Sequence, residues 1–254
     1  MNVLVCVKRV PATGARIVLT EDAQEIETRN LGFTVSPHEE CAVEEAVRIN
    51  EAHGGETTVL TLGPAEAEEQ LRDALALGID RAVLLPAGDE QWDASATAAA
   101  IAEAVRQEQG EGREFDVLLF GNESADAGNY QVAIRVAHIL GLPCVSGVKD
   151  LAFEDGQATA RRQVDDGWEI YQVPLPAVFA VKEGINVPRY PSLPGRMKAK
   201  RKEIGDYEPA AAEPGLEKVR LMNPPEEESD VEMLGEGPEA VSRIVEILDE
   251  LGVA

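Results

Sequence analysis

Positive charge is scarce in this sequence: 23 Lys and Arg stand against 47 Asp and Glu, for a net charge of -24. Such a surface repels phosphate backbones and anionic headgroups, which excludes nucleic acid as a partner and argues against adhesion to anionic membranes. Cysteine is also sparse. Cys6, Cys41 and Cys144 are far apart, odd in number and without a C-x-x-C pair, which excludes a disulfide framework or a cysteine metal site and leaves them as small buried apolar residues. No apolar run reaches the roughly 18 to 20 residues of a membrane span, so no membrane insertion is expected. The opening MNVLVCVKRV enters a strand without a cleavage-site pattern, and the expectation is a cytoplasmic protein. The three histidines, His38, His53 and His138, are scattered, and no Ser/His/Asp order or paired acid stands out. Neither side-chain catalysis nor a metal site is therefore expected. Within the acidic surface Arg outnumbers Lys, which fits either a saline habitat or a simple solubility device.

What is present is a regular alternation. VLVCVK (3–8) is a continuous β-branched run of the kind found in strands covered on both faces. SPHEECAVEEAVRINEAHGG opens with a serine cap and a proline, places Cys41, Ala42, Ala46, Val47 and Ile49 near helical spacing, and stops at Gly54 and Gly55. TTVLTL, RAVLLP and FDVLLFG read as further strands. AEAEEQLRDALALG and DASATAAAIAEAVRQ read as helices between them, the second capped by Asp93. This rhythm predicts an α/β fold: a doubly wound, mostly parallel sheet with helices on both faces, Rossmann-like and suited to an adenine nucleotide. At 254 residues there is room for that domain and an appendage.

In such sheets ligands sit beyond the carboxyl ends of the strands, where loops lead into helix starts. Gly121 to Val132 is such a loop, rich in glycine and small polar residues, and the helix after it offers free N–H groups to a phosphate. It is neither a G-x-G-x-x-G nor a lysine-bearing phosphate loop. A tight strand-to-helix turn, with Gly128 at positive φ, is the competing reading.

After Pro143 the helical period disappears. Short alternating strands are split by the turn signals EDGQ and DDGW, giving a β-hairpin extension at about 150–175 and a return strand, PAVFAVKE, into the main sheet. Arg196, Lys198, Lys200, Arg201 and Lys202 then cluster in an otherwise acidic chain. A solvated run and a contact with an acidic partner or a cofactor phosphate both remain open. From Glu203 onward, 15 acids face 3 bases. This stretch reads as an extended arm, yet GPEAVSRIVEILDELGV is amphipathic, with Val241, Ile244, Val245, Leu248 and Leu251 on one face. The expected division is 1–190 for the nucleotide-binding α/β domain and 191–254 for a C-terminal arm and helix that docks on a partner subunit or on this same domain.

VLVCVKRVP, SPHEECAVEEAVRI, LGPAEAEEQLRDALALGIDRAVLL, DVLLFG with its loop, LGLP, LPAVFAV and NVPRYPSLPGRMKAKRKEI follow one another at the separations found in one family. In these stretches, to about residue 204, the chain resembles the β subunits of electron transfer flavoproteins. The resemblance implies a heterodimer with an α subunit that holds most of an FAD. Electrons would come from flavin dehydrogenases, as in fatty acid oxidation, and pass to a membrane quinone oxidoreductase or another acceptor. It also implies a buried AMP in this chain, or a second FAD in its place in electron-bifurcating members. The nucleotide site so implied comprises Cys6, then Ser36, Pro37, His38 and Glu39, then Leu62. It is completed by the loop of Gly121, Asn122, Glu123, Ser124, Ala125, Asp126, Ala127, Gly128, Asn129, Tyr130, Gln131 and Val132. Ile185 would anchor a dehydrogenase from a recognition loop that includes Asn186, Pro188, Arg189 and Tyr190.

Several positions depart from the family pattern. The loop keeps Asp126 and Gln131 but lacks a second acid and carries the bulky Tyr130, and Ser36 and His38 stand where Asn and an aromatic are common. AMP is the first expectation, a second FAD the next and an empty site the third. A protein of another class, a free-standing nucleotide sensor of the universal-stress-protein type, shares such a sheet. It would lack the hairpin, the basic segment and the arm.

Overall fold

The computed structural model describes residues 1–12, 14, 16–88, 92–209, 215–225 and 233–253. The chain forms two compact units, Met1–Arg220 and Leu221–Ala254.

The first unit is α/β. Its strands are β1 (Val3–Cys6), β2 (Val10–Pro11), β3 (Phe33–Thr34), β4 (Thr57–Gly63), β5 (Arg81–Pro86) and β6 (Val117–Gly121), followed by β7 (Cys144–Glu154), β8 (Gln157–Val164), β9 (Gly167–Pro174), β10 (Ala177–Val181) and β11 (Ile204–Asp206). Its helices are α1 (Pro37–His53), α2 (Glu68–Leu77), α3 (Ala94–Gly110), α4 (Val132–Leu140) and α5 (Leu193–Ala199). Nine strands make one sheet in the order β11-β5-β4-β1-β6-β10-β7-β8-β9, parallel from β11 through β7. β2 and β3 form a separate antiparallel pair.

The continuous apolar strands are explained by cover on both faces. On one side Val3, Val5, Val59, Leu119 and Phe179 pack with Ala42, Ala46 and Ile49 of α1 and Leu71 and Leu75 of α2. On the other, Leu4, Cys6, Leu60, Leu118 and Phe120 pack with Ile101 and Val105 of α3 and Val136 of α4. Helix starts follow the local chemistry expected of them. The Asp93 carboxylate accepts hydrogen bonds from the N–H groups of Ser95 and Ala96, and Gly54, at φ 67°, ends α1. All three cysteines are free, with Cys6 and Cys41 buried and Cys144 half-buried.

The extension is a three-stranded antiparallel meander, not an isolated hairpin. β7 belongs to both parts: its first residues pair with β10 in parallel, and its later ones pair with β8. The change falls at a bulge, where Gly147 adopts φ 71° and its N–H donates to Asn122 Oδ1 at 2.8 Å.

The chain after residue 190 departs from the expected arm. Ser192 caps α5 through a bond from Gly195 N–H, and β11 adds an edge strand beside β5. Tyr207 Oη donates to Glu108, a carboxylate buried at the end of α3 that also takes Arg81 and Arg113. Burial works against this charge, but the two guanidiniums and the phenol hold it down at about 2. These bonds tie residues 192–207 to the sheet, so the compact unit runs to Arg220 instead of ending at 190. Positions 210–214 and 226–232 of the expected arm lie outside the described residues.

In the second unit a short 3-10 turn, Gly237–Ala240, leads into α6 (Val241–Glu250). Of the expected stripe, Val241, Ile244, Val245 and Leu248 lie on α6 and Leu251 just past its end, and all five are exposed. No helix among the described residues is long and apolar enough to cross a membrane.

Candidate functional site

The sheet order fixes where a ligand can enter. From β1 the chain moves outward through β4 to β5, then returns to the other side of β1 with β6 and continues to β10. The reversal makes the carboxyl ends of β1 and β6 the topological switch point. Cys6 ends β1 opposite Phe120, the residue before Gly121, while Leu62 lies near the end of the neighbouring β4. Three chain segments separated by many residues therefore meet at one edge: the β1 end, the start of α1 and the loop after β6.

The α1 start and the loop are joined closely. Gly121 is required at their contact, because a Cβ there would lie 2.7 Å from Glu39 Cγ and 3.0 Å from its backbone nitrogen. Ser36 Oγ accepts a bond from Ala125 N–H at 2.9 Å, and Ser36 N–H donates to Glu39 Oε2 at 3.0 Å. Lys8 Nζ donates to Asp126 at 2.5 Å. Burial opposes the Asp126 charge, but this ammonium holds the carboxyl below its usual range. His38 Nδ1 accepts the Glu183 N–H at 2.7 Å, so its proton sits on Nε2, 3.1 Å from Glu123 Oε1. Burial dominates at Glu39 and pushes its carboxyl up to about 7, despite the N–H groups of Ser36 and Lys8 that favour the charge. The Cys6 thiol beside it is raised by burial and by the Glu39 carboxylate.

Beyond Asp126 the loop opens toward solvent. Gly128 takes the positive φ expected of it, 55°, and Tyr130 takes 56°, a conformation that a bulky side chain seldom adopts. α4 then begins at Val132 without a side-chain cap, and Gln131 Oε1 accepts from Arg135. The N–H groups of Val132, Ala133 and Ile134 have no partner within the helix. The site thus combines uncapped amides, small residues at Ala125, Ala127 and Gly128, an apolar base of Cys6 and Leu62, and loop acids already engaged by His38 and Lys8. That donor set fits a nucleotide, with the amides facing phosphate. Two surface concavities lie elsewhere, along α5 and beside β11, away from the carboxyl ends of β1, β4 and β6.

The second expected set, 185–190, runs along α1. Ile185 is half-buried and packs against the core. Asn186 Nδ2 donates to Cys41 O and Glu45 Oε2, and the Arg189 guanidinium is shared between Glu44 and Glu51. Arg189 is thereby committed within the chain, and Pro188 is half-buried. The exposed apolar surface comes from the neighbours: Val187 is 80% exposed, Tyr190 94% and Leu193 74%. Of the basic run, Arg196, Lys198, Lys200 and Arg201 face solvent, whereas Lys202 Nζ turns back to the carbonyls of Ile79 and Asp80. Sequence reasoning missed the bridging role of His38, whose partners lie 85 and 145 residues away.

Fold and site together define a doubly wound α/β protein that gathers small residues and uncapped amides at its switch point. A family model for the electron transfer flavoprotein domain matches residues 25–212. The chain is 35% identical over 257 residues to the electron transfer flavoprotein subunit beta of Bacillus subtilis (strain 168), covering 98% of this chain and 97% of that one. It is 34% identical over 247 residues to the subunit beta of Syntrophomonas wolfei, covering 97% and 95%. It is also 34% identical over 209 residues to the caffeyl-CoA reductase-Etf complex subunit CarD of Acetobacterium woodii, covering 80% and 77%. The chain belongs to the electron transfer flavoprotein family, among its beta subunits.

Proposed function

We propose that this chain pairs with an α subunit and holds AMP at the switch point. The heterodimer, with FAD chiefly on the α subunit, would carry electrons from flavin dehydrogenases to a downstream acceptor, a membrane quinone oxidoreductase among the candidates, in the cytoplasm. The observation that carries this reading is the uncapped start of α4, placed at the switch point of a chain whose family is that of electron transfer flavoproteins.

FAD supplies the reversible uptake of electrons; the residues of this chain supply binding and distance. The amides of Val132, Ala133 and Ile134 would hold a phosphate against the positive end of α4. Cys6 and Leu62 keep the inner wall apolar, and the Ser36–Ala125 and Lys8–Asp126 bonds fix the loop around it. No nucleophile or general base is needed. Val187, Tyr190 and Leu193 offer exposed apolar side chains to a transient partner.

A second reading puts a second FAD in place of AMP, in an electron-bifurcating complex. It is favoured by the similarity to CarD, a chain named for a reductase-Etf complex. Co-expression with the candidate α subunit, denaturation of the purified complex and chromatography of the released nucleotides test both. One FAD and one AMP per heterodimer supports the first reading, two FAD the second. Recovery of neither nucleotide refutes both.

A further inference from the structure

The 183–189 segment is bonded to the same helix whose start meets the loop after β6. Along α1, His38 takes the Glu183 N–H, Cys41 O and Glu45 take Asn186 Nδ2, and Glu44 and Glu51 take Arg189. Lys149 Nζ holds the Glu183 carbonyl from the other side. At the same end of α1, Ser36 accepts Ala125 N–H and His38 Nε2 meets Glu123. Among these contacts the imidazole is distinctive, because one ring bonds both segments: the loop through Nε2 at 3.1 Å and the turn before Ile185 through Nδ1 at 2.7 Å. The ring is mostly buried, with 18% of its side chain exposed, and its bond to Glu123 is partly buried.

We infer that His38 is a positioning residue that couples the nucleotide loop to the docking segment, so that the loop's conformation sets the surface formed by Val187 and Tyr190. This inference rests on the function proposed above. It gives the nucleotide a task beyond filling space: a phosphate that orders Gly121–Val132 fixes Glu123, Glu123 fixes the imidazole, and the imidazole fixes the Glu183 turn. Among the described residues, no bond to the loop is formed by the side chains of the other charged groups near that turn, Lys149, Lys182, Glu40 and Glu183 itself.

The test compares His38→Phe, which removes both bonds, with His38→Gln, whose amide offers one acceptor and one donor. In the full-length chain, hydrogen exchange read by mass spectrometry should show about tenfold faster exchange in peptides covering 121–132 and 183–190 for His38→Phe, the effect of losing roughly one net hydrogen bond. Protection of β1 and β6 should stay unchanged, and His38→Gln should recover most of the loss. In the heterodimer, His38→Phe should raise KM for the dehydrogenase about tenfold, a larger change than in kcat. Unchanged exchange in both peptides overturns the inference, as does loss of protection spread evenly through the sheet. Altered exchange with an unaltered KM also overturns it. The exchange measurement needs neither cofactor nor partner, so failure of the flavoprotein reading, seen as absence of nucleotide in the complex, is recognised separately.

Discussion

Glu39 should make this protein less stable as pH rises through neutrality. Its carboxyl is buried, 7% exposed, and is pushed up to about 7 from an ordinary value of 4.5. In the unfolded chain the same group ionises freely near the ordinary value. A raised folded-state value means that the native state binds a proton more tightly than the unfolded state. Stability is therefore fully present below about 4.5, falls as pH climbs, and has lost its full share above about 7. The interval corresponds to about 3 kcal/mol, at about 1.4 kcal/mol for each pH unit. Glu39→Gln keeps an acceptor for Ser36 N–H and removes the ionisation. Urea unfolding of both proteins at intervals from pH 5 to 8 isolates this group, since the charge repulsion common to both cancels in the difference. The wild-type curve should drop by about 2 to 3 kcal/mol relative to the variant. Parallel curves would refute the reasoning, and would mean that water or the Lys8 and Ser36 N–H groups compensate the buried charge.

Glu108 carries the opposite sign: its folded-state value of about 2 means stability present above about 4.5 and lost toward pH 2, and an acid titration of Glu108→Gln should lack that limb. At pH 7, Glu108→Ala should cost about 2 to 4 kcal/mol by leaving Arg81, Arg113 and Tyr207 without their shared acceptor, measured as a fall in the urea midpoint. Gly121→Ala should destabilise by about 1 to 3 kcal/mol, because its methyl group meets the α1 backbone as well as the Glu39 side chain, and the complex should retain less nucleotide. Tyr130→Gly should leave stability unchanged or raise it by up to about 1 kcal/mol in thermal unfolding, since relief of the positive φ offsets the added freedom of the unfolded chain.

The parallel core was legible because burial on both faces favours apolar and β-branched residues throughout VLVC, TTVLTL and VLLF, threonines included. In the turn after β6, Gly121 must be small where it meets the start of α1, and Gly128 holds the positive φ that suits glycine. β11 was not legible, since three residues on a sheet edge, Ile-Gly-Asp, carry no period. α5 could have been found: Ser192 with Pro194 repeats the cap-and-proline signal that marked α1 at Ser36 and Pro37. The strap from 183 to 189 was illegible for a different reason. Bonds from α1 to Asn186 and Arg189 draw the segment down and leave Val187 and Tyr190 outward. Contacts across about 145 residues leave no local periodicity to read.

The bare stripe of α6 bears on how the cell must make this protein. Val241, Ile244, Val245 and Leu248 form a contiguous apolar surface of the type chaperones bind and proteases probe. For as long as it stays uncovered, the stripe offers such factors a place to bind.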